Sequence, residues 1–188
     1  MPEISTDRHA VRTRKALANA PAELLTQKEL HRITVQKICD KADLNRGTLY
    51  RHYLDVYDLY EKTEKEIITA FALLLPELGE SPADEFFGKI ISYISANRSI
   101  FGMVFSPNTT GQLRAELCSI IKGVFEQKQP EKDSNSLNET ELELMCSYRA
   151  QGCIAVISDW VNGGFKEPEE LIVNIISRLD SNTGSIFR

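Results

Sequence analysis

Between Ile33 and Tyr53 the chain reads I-T-V-Q-K-I-C-D-K-A-D-L-N-R-G-T-L-Y-R-H-Y, two short helical patterns divided by a three-residue break. Thr34 is a residue type that caps helices, and after it Val35, Ile38, Cys39 and Ala42 recur at the spacing of one buried helix face. Asp43-Leu44-Asn45 interrupts this pattern. Asp and Asn tolerate left-handed backbone and start new helices, while Leu44 can plug the angle between the two segments. In the second half, Arg46 to Tyr53, Leu49 and Tyr53 stand four apart and face inward, leaving Arg46, Gly47, Thr48, Tyr50, Arg51 and His52 to point outward. A support helix, a sharp turn and a second helix with such an outer face predict a helix-turn-helix, whose second helix suits a DNA major groove. The bland alternative is a pair of packed helices with an arbitrary polar face.

The charge distribution bears on that choice. The chain has 188 residues and a formal charge of −5, yet residues 1–53 carry ten Lys/Arg against six Asp/Glu, and residues 54–188 carry twelve against twenty-one. A positive end on an acidic body favours phosphate contact at one face and repels DNA from the rest. The length allows two unequal units. With 42% hydrophobic and 26% charged residues the composition is that of a globular protein. The longest apolar stretch, Ala70 to Pro76, is far short of the roughly 20 residues that span a bilayer. The start, M-P-E-I-S-T-D-R-H, lacks a secretory signal pattern, so the expected location is the cytoplasm and no membrane partner is expected.

Periodicity along the rest of the chain is helical throughout, with no strand-like alternation and no internal repeat, so the expected fold is all-α. Residues 7–27 form a first helix with Val11, Leu17, Ala20, Leu24 and Leu25 inside, and Pro21 predicts a kink or break at Ala20. Arg8, Arg12, Arg14 and Lys15 at its start could reach a DNA backbone or form a solvated basic face. Asp55 caps a long helix from Val56 to about Leu75, carrying Leu59, Ile67, Phe71 and Leu74 and ended by Pro76 and Gly79. Ser81 caps the next, with Pro82 in its first turn and Phe86, Ile90, Tyr93 and Ile94 inside. A short apolar piece from Ser99 to Phe105 and a turn cluster at 107–111 lead to a helix from Gln112 to Gln127. Residues 128–138 are polar and expected to be mobile.

The last two helices, Glu139 to Asn162 and Glu169 to Asp180, are separated by Gly163-Gly164 and carry apolar residues on more than one side. Leu142, Met145, Tyr148, Ile154, Ile157, Trp160 and Val161, then Leu171, Ile172, Ile175, Ile176 and Leu179, make faces too wide for one small core. Such an excess predicts a matching helix pair from a second copy, hence a homodimer; burial of both faces within one chain is the alternative.

Chemistry-bearing side chains are not assembled for catalysis. His9, His31 and His52 fall in the N-terminal part, while Cys118, Cys146 and Cys153 fall outside it and only Cys39 within it. No metal-ligand spacing, Gly-rich phosphate loop or nucleophile-elbow pattern occurs, so the expectation is no enzyme, no cofactor, no metal site and four buried free thiols.

The stretch from Ile33 to Tyr53, with G-T-L-Y-R-H-Y at its core, followed by Asp55 and a helix with Asp58-Leu59, resembles the TetR family of bacterial transcription regulators. The resemblance covers roughly residues 8–60. It extends in pattern to Q151-G152-C153-I154, D159-W160 and G163-G164, which are similar to the penultimate helix of many such regulators. It implies an all-helical homodimer. Residues 1–55 would be a three-helix domain binding one half-site of a double-stranded operator, and 56–188 a helical domain for an effector and for dimerisation, with a linking helix between them. Carried over by position, Thr34, Tyr50 and His52 would contact phosphates, Arg46, Gly47, Thr48 and Arg51 would face bases, and Asn45 would belong to the same DNA-binding set. Two departures stand out: Asp43 replaces the usual turn glycine, and Val56 replaces the usual phosphate-binding lysine, which removes one cationic contact.

The regulator so implied is a repressor released by a small-molecule effector. The alternative is an activator or coregulator controlled by a protein partner. Phe101, Phe105, Tyr148 and Trp160 could line an effector pocket, although aromatics at helical spacing serve equally as core.

Overall fold

A computed structural model describes residues 8–25, 27–78, 82–127 and 137–185. Among the described residues there are nine α-helices, one 3-10 turn at Leu30–Arg32 and no strand. The helices are α1 Arg8–Leu25, α2 Val35–Ala42, α3 Arg46–Tyr50, α4 Val56–Leu78, α5 Ala83–Ala96, α6 Arg98–Val104, α7 Gln112–Gln127, α8 Glu139–Asn162 and α9 Glu169–Ser185. The all-α expectation is met.

The described chain divides into two compact units. The first contains residues up to Ile67 together with Ser99–Thr110, and the second contains Ile68–Arg98 together with the residues from Gly111 onward. The division therefore falls within α4, twelve residues past the boundary expected at 55/56, and the first unit gains α6 almost entirely. Long-range bonds explain the second difference. The Ser106 hydroxyl and the Asn108 amide both donate to the carbonyl of Leu25, at 2.9 and 3.0 Å. They satisfy a carbonyl that the end of α1 leaves without a helical partner.

In the first unit, α1 packs against α2, and Leu17, Ala20, Leu25, Ile38, Leu49, Leu59 and Ile67 are buried together with Phe101 and Phe105. Of the kink or break expected at Ala20, the break does not occur, because α1 runs through Pro21 to Leu25. Proline inside a helix costs about 3 kcal/mol. Here Leu17, Ala18, Ala20, Ala22 and Leu25 are all buried on both sides of it, so tertiary packing outweighs the local defect.

In the second unit α5 packs on α9, α9 on α8 and α8 on α7. Phe86, Phe87 and Phe125 form its aromatic centre, with edge-on contact between the first two at 5.0 Å. Two helix ends differ from expectation. α4 continues through Pro76 to Leu78. α5 starts at Ala83 with Pro82 as its cap position, and Asp84 and Glu85 in the first turn suit the positive helix end. Leu74, Gly79 and Ser81, assigned to these ends, lie outside the residues whose side chains are described. So does the expected mobile segment, apart from its last two residues. Of these, Asn138 is ordered into a capping box with Glu141, each side chain accepting from the other's backbone at 2.9 Å.

Candidate nucleic-acid interface

The support helix α2 starts on Thr34, whose hydroxyl oxygen accepts from the Lys37 amide at 3.4 Å. Ile38 and Cys39 are its buried residues, Val35 and Ala42 being half-buried. Burial pushes the Cys39 thiol above its ordinary pKa, so it is packed as an apolar group. The helix ends at Asp43, which adopts left-handed backbone with φ 54° and ψ 47°. Its N–H and that of Leu44 both donate to the Cys39 carbonyl, which turns the chain sharply. Aspartate tolerates this conformation better than most residues, so the loss of glycine is mild.

Asn45 starts α3. Its side-chain oxygen accepts from the Gly47 amide at 2.6 Å, and a Cβ at position 47 would meet that oxygen at 3.0 Å. Glycine there keeps the cap undisturbed. Leu49 and Tyr53 are buried, at 0% and 6% exposure, as the i, i+4 spacing requires. α3 proper is one turn and a half, shorter than the eight residues expected; Arg51 and His52 continue it as a turn in which His52 and Tyr53 both donate to the Leu49 carbonyl at 2.9 Å. Arg46, Gly47, Tyr50, Arg51 and His52 are exposed, with Tyr50 at 57% exposure, and Thr48 is half-buried, so each of the outward positions expected of this segment meets solvent at least in part.

The start of α4 braces this segment. The Asp55 carboxylate accepts from the Asp58 amide at 2.8 Å, and the Asp58 carboxylate accepts from the Leu54 amide at 2.9 Å. Hydrogen bonding to Lys62 and to Leu54 holds Asp58 below the usual carboxylate range. Lys62 also donates to the His52 carbonyl at 3.3 Å and lies 5.4 Å from the Tyr53 ring centre, tying α4 to the end of the reading segment. Val56 is buried at 6% exposure, which makes it a core residue of the first unit.

Sequence reasoning missed one arrangement. Gln36, on the outer side of α2, accepts from the Nε–H of Arg46 and donates to the Asp40 carboxylate. The i, i+4 spacing of Gln36 and Asp40 was visible; the bond across the turn to a residue ten positions on was not.

The four aromatics considered for a pocket are divided between the two units. Phe101 and Phe105 belong to the first unit, both buried and stacked at 6.5 Å. Trp160, in the second, donates from its indole to the Glu167 carbonyl at 2.9 Å and packs edge-on against Phe165. Tyr148 is 70% exposed and lines a groove between α8 and α9 with Gly152, Val156, Ile176, Leu179 and Thr183. On its floor Arg149 makes two bonds to Asp180, at 2.8 and 2.9 Å. Helical spacing marked these aromatics as inward without fixing what they face. All four cysteines are free and buried, and among the described residues no cluster of His, Cys, Asp or Glu could hold a metal ion. Within them no helix is long and apolar enough to cross a membrane.

Residues 17–62, the whole helix-turn-helix with its braces, match the bacterial regulatory proteins of the tetR family, and residues 83–181 match a transcriptional regulator C-terminal region of that family. The chain belongs to the TetR family. TetR-family regulators bind operator DNA, and the helix-turn-helix of α2 and α3 falls within the matched residues 17–62. A relative, the uncharacterised HTH-type transcriptional regulator YxbF of Bacillus subtilis (strain 168), is 25% identical over 148 residues, which is 74% of this chain and 37% of that protein. This TetR-family chain thus spans just over a third of that relative's length. Solved structures share its fold. A TetR-like transcriptional regulator from Rhodococcus sp. RHA1 is similar with a TM-score of 0.67 at 16% identity over 98% of both chains. The dihydroxyacetone kinase operon activator DhaS is similar with a TM-score of 0.63 at 19% identity, over 94% of this chain and 98% of that one. The fatty acid degradation regulator FadR from Bacillus halodurans gives 0.65 at 15% identity, over 89% and 93%.

Proposed function

We propose that this TetR-family regulator binds its operator as a homodimer joined through α8 and α9, and that it is a repressor released when a small molecule binds the second unit. The observation that carries the DNA-reading part is the exposure of Arg46, Gly47, Tyr50, Arg51 and His52, with Thr48 half-buried, on a helix-turn-helix whose two helices are capped by Thr34 and Asn45. Arg46 supplies a bidentate fork for guanine, Gly47 a close approach and Thr48 a methyl for thymine, while Tyr50, His52 and Thr34 take phosphates.

Support for the dimer comes from the apolar side chains that α8 and α9 leave uncovered. Leu144 and Tyr148 are 65% and 70% exposed, and Leu171, Ile175 and Leu179 are 45%, 37% and 57% exposed, each set at four-residue spacing along its helix. The α8–α9 groove places Tyr148 and Leu179 side by side, so the two stripes make one surface. In the switch, the ligand favours one of two separations of the paired reading helices, which must sit about one DNA turn or a multiple apart to engage both half-sites.

A second reading, an activator or coregulator controlled by a protein partner, draws support from the packing of the second unit. Its candidate aromatics are either buried in the core, as Trp160 is, or exposed, as Tyr148 is. The name of DhaS, an operon activator of similar fold, is in keeping with it.

Selection of sites from a random duplex pool, followed by footprinting, tests the proposal. The expected result is a two-fold symmetric site, with Tyr50→Ala weakening binding to every sequence and Arg46→Ala relaxing preference at one base pair per half-site. An unselective protein, or selectivity that survives both substitutions, would overturn it.

A further inference from the structure

We propose that Gln36 and Asp40 of the support helix are positioning residues for Arg46 and thereby set how strongly the reading helix prefers one base pair. The inference rests on the reading of Arg46 as a base-contacting residue. A carboxylate can only accept hydrogen bonds, so Asp40 takes the amide NH2 of Gln36 and turns the amide oxygen away from itself. That oxygen accepts from the Nε–H of Arg46. The order of donors and acceptors is therefore fixed from Asp40 outward. A neutral amide free to flip would offer Arg46 a repelling NH2 group half of the time; the carboxylate removes that choice.

Using Nε has a specific consequence. A guanidinium carries five N–H groups, and the bond to Gln36 consumes the one on the side-chain stem. Both terminal nitrogens, the pair whose spacing fits O6 and N7 of guanine, are left available while the plane of the group is held. Arg46 is otherwise an exposed long side chain, of the kind that loses most rotamer freedom when it binds. A bond made before DNA arrives removes part of that loss. Gln36 is uncharged and Asp40 is negative, so neither adds to the attraction for phosphate; their effect falls on orientation and hence on selectivity.

The test uses the full chain and a duplex site that the wild-type protein selects from a random pool. Affinity is measured for that site and for each single base-pair change, with wild type, Gln36→Ala, Arg46→Ala and the double variant. Arg46→Ala is expected to erase the preference at one base pair. Gln36→Ala is expected to reduce preference at that same pair roughly three- to tenfold, by freeing a rotamer-rich side chain. It should leave the salt dependence unchanged and add nothing once Arg46 is gone. Gln36→Glu keeps the acceptor and is expected to keep the preference, at lower overall affinity because a negative charge is added near phosphate. An unchanged preference in Gln36→Ala would overturn the inference and leave the reading of Arg46 standing. So would an equal loss with and without Arg46, which would mean that Gln36 touches DNA itself. If Arg46→Ala has no base-specific effect, the reading of Arg46 fails and the inference fails with it.

Discussion

Gly47→Ala probes how the reading helix is started, because the same oxygen that caps the helix is the atom a new methyl would strike. In the native chain Asn45 Oδ1 accepts from the Gly47 amide at 2.6 Å, and an added Cβ would lie 3.0 Å from it. Alanine is favoured over glycine in a helix by up to about 1 kcal/mol. Losing an asparagine cap costs about 1 kcal/mol, within a range of roughly 0.5–2. The two effects nearly cancel, so Gly47→Ala alone is expected to change stability by less than about 0.5 kcal/mol. In an Asn45→Ala background there is no cap left to displace, and the same substitution should stabilise by up to about 1 kcal/mol. The assay is urea unfolding followed by far-ultraviolet circular dichroism, at one fixed protein concentration so that any dimer equilibrium is constant. An identical effect of Gly47→Ala in both backgrounds would refute the argument that position 47 is glycine on account of the cap.

The remaining predictions concern burial and charge. Arg149 and Asp180 have side chains only 12% and 7% exposed, so Arg149→Met alone should cost about 3–5 kcal/mol by stranding a buried carboxylate; Arg149→Met with Asp180→Leu should recover most of that loss in denaturant titrations. Burial raises all four thiols, Cys153 to about 12 from an ordinary 9.0. Their contribution to stability is fully present below the unfolded value and lost as pH rises through the folded one, so the unfolding midpoint should decline between pH 9 and about 12, and less so in a Cys153→Ala variant compared at the same pH values. Val56→Lys should steepen the salt dependence of DNA binding by about one unit of slope, while its buried position makes the same change lower the melting temperature. A Cβ at Gly152 meets nothing within 4 Å in the chain, so Gly152→Ala should be tolerated; Gly152→Trp, placed beside Tyr148 on the proposed dimer surface, should shift sedimentation toward the monomer without unfolding it.

Which features could be read from the sequence follows from how far their causes extend along the chain. The cap Thr34, the break at Asp43-Leu44-Asn45 and the inward pair Leu49 and Tyr53 depend on residues within four positions, and each is found where the pattern put it; which of Asp43 and Asn45 turns left-handed and which caps is settled by the structure. The limits of α7 and α8 were legible for the same reason, since turn-forming or polar segments flank them. Pro21 does not end α1 because local propensity says nothing of the buried surface that surrounds it. The first unit's claim on Ser99–Thr110 depends on bonds from Ser106 and Asn108 to Leu25, more than eighty residues away. Gln36 escaped notice because its role is a side-chain bond across a turn, and periodicity registers only which face a residue occupies.

The most direct test of the central claim is the salt dependence of binding between the purified protein and duplex DNA from its own upstream region, with the Tyr50→Ala variant measured alongside. The account predicts saturable, sequence-selective binding by the wild type that falls steeply with salt, and a loss of affinity in Tyr50→Ala for all sequences alike. Weak, unselective binding that is the same in both proteins would contradict it.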